Sequence, residues 1–136
     1  FVALPELLTQ ADYITLHVPV TETTRQLIGR RELALMKPAA MLVNISRGWL
    51  VDSQAVAQAL QAGTLAGYAA DVFEVEPPPP DYPLLRAPNT ILSPHYGGHT
   101  EEGLKNMGEA AVSNLIERLR GGRPANTVNP AVYGNA

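Results

Sequence analysis

Apolar and polar residues alternate along the chain with two different spacings, which predicts strands separated by helices. Residues 13–18 alternate with a period of two and include β-branched side chains, a pattern typical of a strand. Residues 41–45 form a short and nearly continuous apolar run, as in a strand buried within a parallel sheet. Two further runs, 65–72 and 90–93, are predicted as the third and fourth strands.

The segments between and after these strands have helical spacing and residues that favour helix ends. Asp52 is placed to cap a helix that stops at Gly63. A longer helix is predicted from Thr100 to about Arg120, with acidic residues in its first turn, where the helix dipole favours them. Shorter helices are predicted at 4–10 and, in one or two pieces, within 24–36, while 77–80 and the tail after 122 are predicted as loop and irregular chain.

Strand–helix–strand alternation at these lengths predicts right-handed βαβ connections. The expected fold class is therefore α/β, with a parallel sheet covered by helices on both faces. A chain of 136 residues, 46% of them hydrophobic, is long enough for one globular domain with a core of its own.

Charge and composition limit which molecules the protein is expected to bind. A net charge of −3 without a basic cluster argues against nucleic-acid binding through the phosphates. The absence of cysteine excludes disulfides and thiolate metal sites. No apolar stretch approaches the roughly 20 residues that span a bilayer, and the N-terminus does not have the pattern of a signal peptide. We expect a cytoplasmic protein that binds neither nucleic acid nor membrane.

Polar and glycine-containing segments follow each predicted strand. Because ligands of open parallel sheets lie beyond the carboxyl ends of the strands, these segments are the candidate site. They are 17–19 after the first strand, 44–48 after the second, Asp71 with Glu74 and Glu76 after the third, and 94–98 after the fourth.

Taken together and in register, these segments resemble the D-2-hydroxyacid dehydrogenases, a family that includes D-3-phosphoglycerate and glyoxylate/hydroxypyruvate enzymes. The resemblance covers about residues 4–130. It implies a Rossmann-like doubly wound parallel sheet that is incomplete here: 1–122 as a partial NAD(P)-binding domain and 123–136 as a tail that returns toward a substrate domain. The matching segments are 11–19, 36–38, 42–48, 51–52, 66–74, 76–77 and 88–98.

The resemblance implies three catalytic residues. Arg47 would bind the substrate carboxylate, for which a planar guanidinium is well suited. His95 would exchange a proton with the substrate oxygen, and its ordinary pKa near 6.5 suits that task. Glu76 would orient the imidazole and favour its protonated form; Glu74 is near in sequence, but only Glu76 precedes a proline as the family pattern requires.

The resemblance also implies a set of residues that bind NAD or NADP. The adenosine side would be contacted mostly through backbone, the nicotinamide side through backbone and one carboxylate, and glycines would let the loop after the histidine approach the ring. These residues are Val18 and Pro19 for adenosine, and Ile45, Ser46, Arg47, Asp71, His95, Gly97 and Gly98 for the nicotinamide side.

Each of these residues also has an ordinary interpretation. Arg47 alone is more often a surface or capping residue, and Glu76 alone is an ordinary solvated carboxylate. His17 is interpreted as a strand cap. Trp49, where the family usually has a small residue, is either core or pocket wall.

A metal site is the alternative interpretation of the histidines. His95 and His99 are four residues apart, but Gly97 and Gly98 between them disfavour a helix there. No carboxylate motif completes a zinc site, so we expect no metal.

The function implied is hydride transfer between NAD(P)(H) and a D-2-hydroxy acid or 2-keto acid, a small-molecule substrate, by a homodimer. A second hypothesis is a binding module that senses dinucleotide and recruits a partner, as some co-repressors of this superfamily do. The three catalytic residues do not separate the two. No partner-binding extension is visible after Pro130, which favours the enzyme.

The family's Gly-x-Gly-x-x-Gly phosphate loop is not among these residues. The residue that selects NAD or NADP through the ribose and most of the substrate domain are also outside them. We therefore expect the 136 residues alone neither to bind dinucleotide tightly nor to turn over, and the strand at 12–18 to form a bare sheet edge.

Overall fold

A computed structural model describes residues 1–134, and so all but the last two residues of the predicted tail. Residues 1–134 form four strands: β1 Tyr13–Leu16, β2 Met41–Asn44, β3 Gly67–Ala70 and β4 Thr90–Leu92. The α-helices are α1 Leu4–Gln10, α2 Arg30–Leu33, α3 Ser53–Gln61 and α4 Glu101–Leu119, and single 3-10 turns lie at Gly48–Leu50, Pro83–Leu85 and Pro130–Tyr133.

The four strands form one parallel sheet in the order β1-β2-β3-β4. This confirms the predicted α/β class with a partial Rossmann-like sheet. Within the described residues β1 pairs only with β2, so the first strand lies at a sheet edge as expected.

Within residues 1–96 one face of the sheet is covered and the other is not. Ile14, Leu16 and Leu42 are buried in the core, whereas Tyr13 and Ile91 on the opposite face are 75% and 76% exposed. Within residues 1–96 the prediction of helices on both faces is not met. The strands follow one another across the sheet in a single direction, so every right-handed crossover places its helix on the same face.

The core lies between the covered face of the sheet and the first three helices. Its largest fully buried apolar side chains come from helices, strands and connecting loops alike. They are Leu8, Ile28, Leu42, Leu50, Leu65, Leu84, Val51 and Val56.

The predicted cap of α3 is confirmed, because Asp52 accepts a hydrogen bond from the backbone N–H of Ala55 at 2.9 Å. The prediction of one or two short helices within 24–36 is confirmed by α2. The N–H groups of Gln26 and Ile28 donate to the carbonyls of Trp49 and Leu50, so the start of this segment pairs with another loop.

The chain separates into two compact units, the first covering residues 1–96 and the second beginning at Gly97. The second unit contains α4, which Thr100 caps by accepting a hydrogen bond from the N–H of Gly103 at 2.9 Å. The tail is not wholly irregular, because a 3-10 turn follows Asn129. The predicted domain boundary at 122 stays a prediction. No helix among residues 1–134 is both long and apolar enough to cross a membrane.

Candidate active site

The candidate site lies at the carboxyl edge of the sheet, where the ends of β1 and β2 are joined by a side chain. The Ser46 hydroxyl donates to the Val18 carbonyl at 2.7 Å. Val18 and Ile45 are 38% and 54% exposed at this edge, so apolar surface is open to a ligand. A cavity of about 480 Å³ opens beside them, lined by His17, Pro19, Val20, Ser46, Arg47 and Trp49.

The turn that carries Arg47 is held from inside by Asn44, which is fully buried. Its amide nitrogen donates to the Arg47 carbonyl at 2.8 Å, and its amide oxygen accepts from the Ser46 N–H at 3.2 Å. The exposed Arg47 guanidinium donates to the Ser46 carbonyl at 2.7 Å. Sequence reasoning did not assign a role to Asn44, although its place within the 44–48 segment was a usable signal.

Gly48 brings this turn against the loop that follows β3. A Cβ atom at Gly48 would overlap the carbonyl group of Phe73 and the backbone nitrogen of Glu74. No side chain fits between these backbones. The two loops that carry Arg47 and Glu76 are therefore in direct contact through Gly48.

The side chains of Glu76 and His95 lie at the distance of an ion pair. One Glu76 carboxylate oxygen lies 2.7 Å from Nδ1 of His95, and the other accepts the backbone N–H of Phe73 at 2.9 Å. Glu74 instead accepts a hydrogen bond from the Tyr82 hydroxyl. Of the two glutamates, Glu76 is the one in contact with the imidazole.

The hydrogen bond from His95, reinforced by the Phe73 N–H and the charge of Arg47, lowers the pKa of Glu76 below its ordinary value. Glu76 is then ionised at neutral pH and acts only as an acceptor. The proton between the two side chains therefore belongs to Nδ1, and Nε2 is the imidazole nitrogen that can face a substrate.

Asp71 fixes the backbone on both sides of His95. Its buried carboxylate oxygen Oδ1 accepts from the Ser93 hydroxyl at 2.6 Å and from the Tyr96 N–H at 2.8 Å. His95 has φ of 61°, a left-handed conformation that costs a non-glycine residue about 1–2 kcal/mol. These two bonds hold it there. Ser93 was not singled out from the sequence.

The contacts of His17 and Trp49 decide between their alternative interpretations. The Nε2 atom of His17 lies 2.9 Å from the Thr15 hydroxyl, consistent with a residue that ends a strand. Trp49 is 37% exposed, lines the cavity at β1 and β2, and stacks under the Arg25 guanidinium at 3.8 Å from the ring centroid. Trp49 is therefore pocket wall and not core.

A second cavity, of about 180 Å³, lies beside the imidazole and is lined by Phe73, Glu76, Pro77, Pro78, Pro94 and His95.

Gly97 and Gly98 belong to the second unit, where the Gly98 carbonyl lies against Gly103. Their cofactor role stays a prediction. No group of three potential metal ligands occurs among residues 1–134.

The parallel sheet and the polar groups at its carboxyl edge define a nucleotide-binding type of α/β domain. The sequence profile of the D-isomer specific 2-hydroxyacid dehydrogenase NAD binding domain matches residues 1–97. The chain therefore belongs to the D-isomer specific 2-hydroxyacid dehydrogenase family.

Individual relatives agree with this assignment. The chain is 46% identical over 132 residues to a glyoxylate reductase of Korarchaeum cryptofilum, covering 97% of this chain and 40% of that protein. A glyoxylate/hydroxypyruvate reductase B of Pectobacterium carotovorum is also 46% identical, over 129 residues, with 95% and 40% covered. The chain thus spans about two fifths of the length of these relatives.

A solved structure has the same fold. The TT0316 protein of Thermus thermophilus superimposes with a TM-score of 0.87 at 43% identity, covering 94% of this chain and 41% of that one. The match supports the sheet order and the crossover helices described above.

Proposed function

We propose that the protein transfers a hydride between a nicotinamide dinucleotide, NAD or NADP, and a D-2-hydroxy acid or its 2-keto acid. The observation that carries the proposal is the contact of 2.7 Å between Glu76 and Nδ1 of His95. The loop that carries Glu76 also contacts the turn that carries Arg47. The names of the relatives, among them glyoxylate and hydroxypyruvate reductases, support this substrate class.

The residues at the ends of β1 and β2 fit one side of a dinucleotide. Val18 and Ile45 expose apolar surface suited to flat heteroaromatic rings, and the cavity of about 480 Å³ beside Ser46 and Pro19 is open. Asp71 would hold the carboxamide in the proposed arrangement. When bound, the nicotinamide supplies the hydride in reduction and accepts it in oxidation.

Arg47 would bind the substrate carboxylate. A guanidinium meets a carboxylate through two parallel N–H···O bonds, which fixes the orientation of the 2-keto group as well as its position. The internal bond from Arg47 to the Ser46 carbonyl leaves the remaining N–H groups of the exposed fork for this task.

His95 would act as acid and base. In reduction its Nε2–H is transferred to the substrate oxygen as that oxygen gains negative charge, and in oxidation Nε2 takes the proton back. The Glu76 carboxylate on Nδ1 fixes the tautomer and stabilises the imidazolium by charge. The homodimer and the cytoplasmic location stay predictions from the family resemblance.

The test is a steady-state assay of the protein expressed from its complete gene, with NADH and NADPH against a panel of 2-keto acids. We expect His95→Ala to lower kcat by about 10²–10⁴-fold. Arg47→Ala should raise KM for the keto acid and lower kcat, and Arg47→Lys, which keeps the charge but not the fork, should recover only part of the loss.

Unchanged KM and kcat in Arg47→Ala would rule out the carboxylate role. A protein that binds NADH but reduces none of the keto acids would favour the dinucleotide-sensing alternative. Arg86→Ala, which removes an exposed arginine after the turn at Pro83–Leu85, serves as the control for the loss of one positive charge.

A further inference from the structure

A buried tyrosine behind the candidate site touches the loop that carries Glu76. Tyr82 precedes the 3-10 turn at Pro83–Leu85 and is only 7% exposed. We propose that Tyr82 is a positioning residue, which sets the Glu76–His95 pair through Phe73 and Glu74. The catalytic meaning of this inference rests on the proposed function.

The hydroxyl of Tyr82 joins two segments that are far apart in sequence. It donates to a Glu74 carboxylate oxygen at 3.1 Å, and the Ser53 hydroxyl lies 2.5 Å from it. A phenol has a single proton, so with that proton given to Glu74 the Ser53 hydroxyl is the donor to the Tyr82 oxygen. The first residue of α3 is thereby tied to the loop after β3.

The ring of Tyr82 reaches the same loop at a second point. It packs edge-to-face against Phe73, with ring centroids 5.7 Å apart and planes at 79°. Phe73 is 8% exposed, and its backbone N–H donates to Glu76 at 2.9 Å. The other oxygen of Glu76 contacts His95, so three successive contacts lead from Tyr82 to the imidazole.

Gly48 gives the loop a separate support. The backbone of Phe73 and Glu74 lies directly against Gly48, where no Cβ could fit. Packing against Gly48 limits how closely the loop can approach the Arg47 turn. The Tyr82 contacts restrict the remaining freedom of Phe73, whose N–H must point at Glu76.

The phenol keeps its proton throughout the working range of the protein. Burial raises the pKa of Tyr82 to about 12, so its hydroxyl remains a donor at neutral pH. Removing the Tyr82 hydroxyl therefore removes no group that titrates near neutral pH. A change in the pH profile of such a variant then does not come from titration of the phenol itself.

The test compares Tyr82→Phe with Tyr13→Phe in the protein expressed from its complete gene. Both remove one hydroxyl, but Tyr13 lies on the exposed face of β1. The readouts are the NMR signal of the His95 Nδ1–H in ¹⁵N-histidine-labelled protein, the pH dependence of kcat/KM, and Tm. For Tyr82→Phe we expect faster solvent exchange of that proton, a displaced acidic limb and a loss in kcat of about fivefold.

Tyr13→Phe should leave all three readouts unchanged. If Tyr82→Phe lowers Tm while the His95 signal and the pH profile stay as in the wild type, Tyr82 is structural only and the proposal is overturned. Should Tyr82→Phe fail to fold, Ser53→Ala decides: it removes the donor to Tyr82 but keeps the ring, and we expect a smaller change in the same direction. An absence of turnover in the wild type would overturn the proposed function, whereas the NMR signal would still test the contacts from Tyr82 to His95.

Discussion

The carboxylate of Glu76 connects the candidate chemistry to the pH dependence of stability. Its pKa is lower in the folded protein than in the unfolded chain, chiefly because His95 hydrogen-bonds to it. A depressed folded pKa stabilises the protein above the unfolded pKa, and that stabilisation is lost as the pH falls through the folded pKa. We therefore expect Glu76→Gln to lower the free energy of unfolding at pH 7 and to have little effect near pH 2.

Urea unfolding of the wild type and Glu76→Gln across this pH range measures the difference. Glu109→Gln in α4 is the control, because it changes the same charge in an exposed ion pair, 3.9 Å from Lys105. A Glu76→Gln penalty that stayed constant down to pH 2 would show that packing, and not the ionised carboxylate, accounts for it.

Between elements, the tightest contact is that of Gly48 with the loop after β3. A methyl group at Gly48 would overlap backbone that cannot rotate away, so the two loops would have to separate. We expect Gly48→Ala to reduce the free energy of unfolding by about 3 kcal/mol or more. It should also disturb the placement of Glu76.

The matched control is Gly108→Ala, where an added Cβ meets nothing within 4 Å inside α4. Replacing a mid-helix glycine with alanine should stabilise the helix by about 1 kcal/mol. Thermal unfolding followed by circular dichroism compares the two. A Gly48→Ala protein as stable as the wild type would mean that the loops are not in contact.

Across the four-stranded sheet, the two faces should respond differently to substitution. Leu42 is fully buried and Ile91 is 76% exposed on the opposite face. We expect Leu42→Ala to cost about 2–5 kcal/mol and Ile91→Thr, which keeps the β-branch, less than about 0.5 kcal/mol. Chemical denaturation of the 136-residue chain measures both. Equal losses would indicate that the second face is covered in solution.

Much of the fold was predictable because hydrophobic period and helix-end chemistry are local. The four strands and the caps Asp52 and Thr100 were found from neighbouring residues alone. Strand ends were less accurate: β1 stops at Leu16, because the Val18 carbonyl accepts a hydrogen bond from Ser46. Within 24–36 the short helix α2 was predictable, but the hydrogen bonds of Gln26 and Ile28 to another loop were not, because no local sequence pattern indicates them.

The candidate site was likewise predictable in part from the sequence. The sequence alone showed which chemical groups follow each strand, because Arg47, Glu76 and His95 lie in segments that match a family pattern. Parallel strands bring their carboxyl ends to one edge of the sheet, so these groups could be expected there. The family pattern already favoured Glu76 over Glu74. The folded chain was needed to establish how the two are held apart, with Glu76 bonded to the Phe73 N–H and His95 and Glu74 bonded to Tyr82. It was also needed to establish which sheet face is covered, because the direction in which strands are added is a property of the assembled sheet.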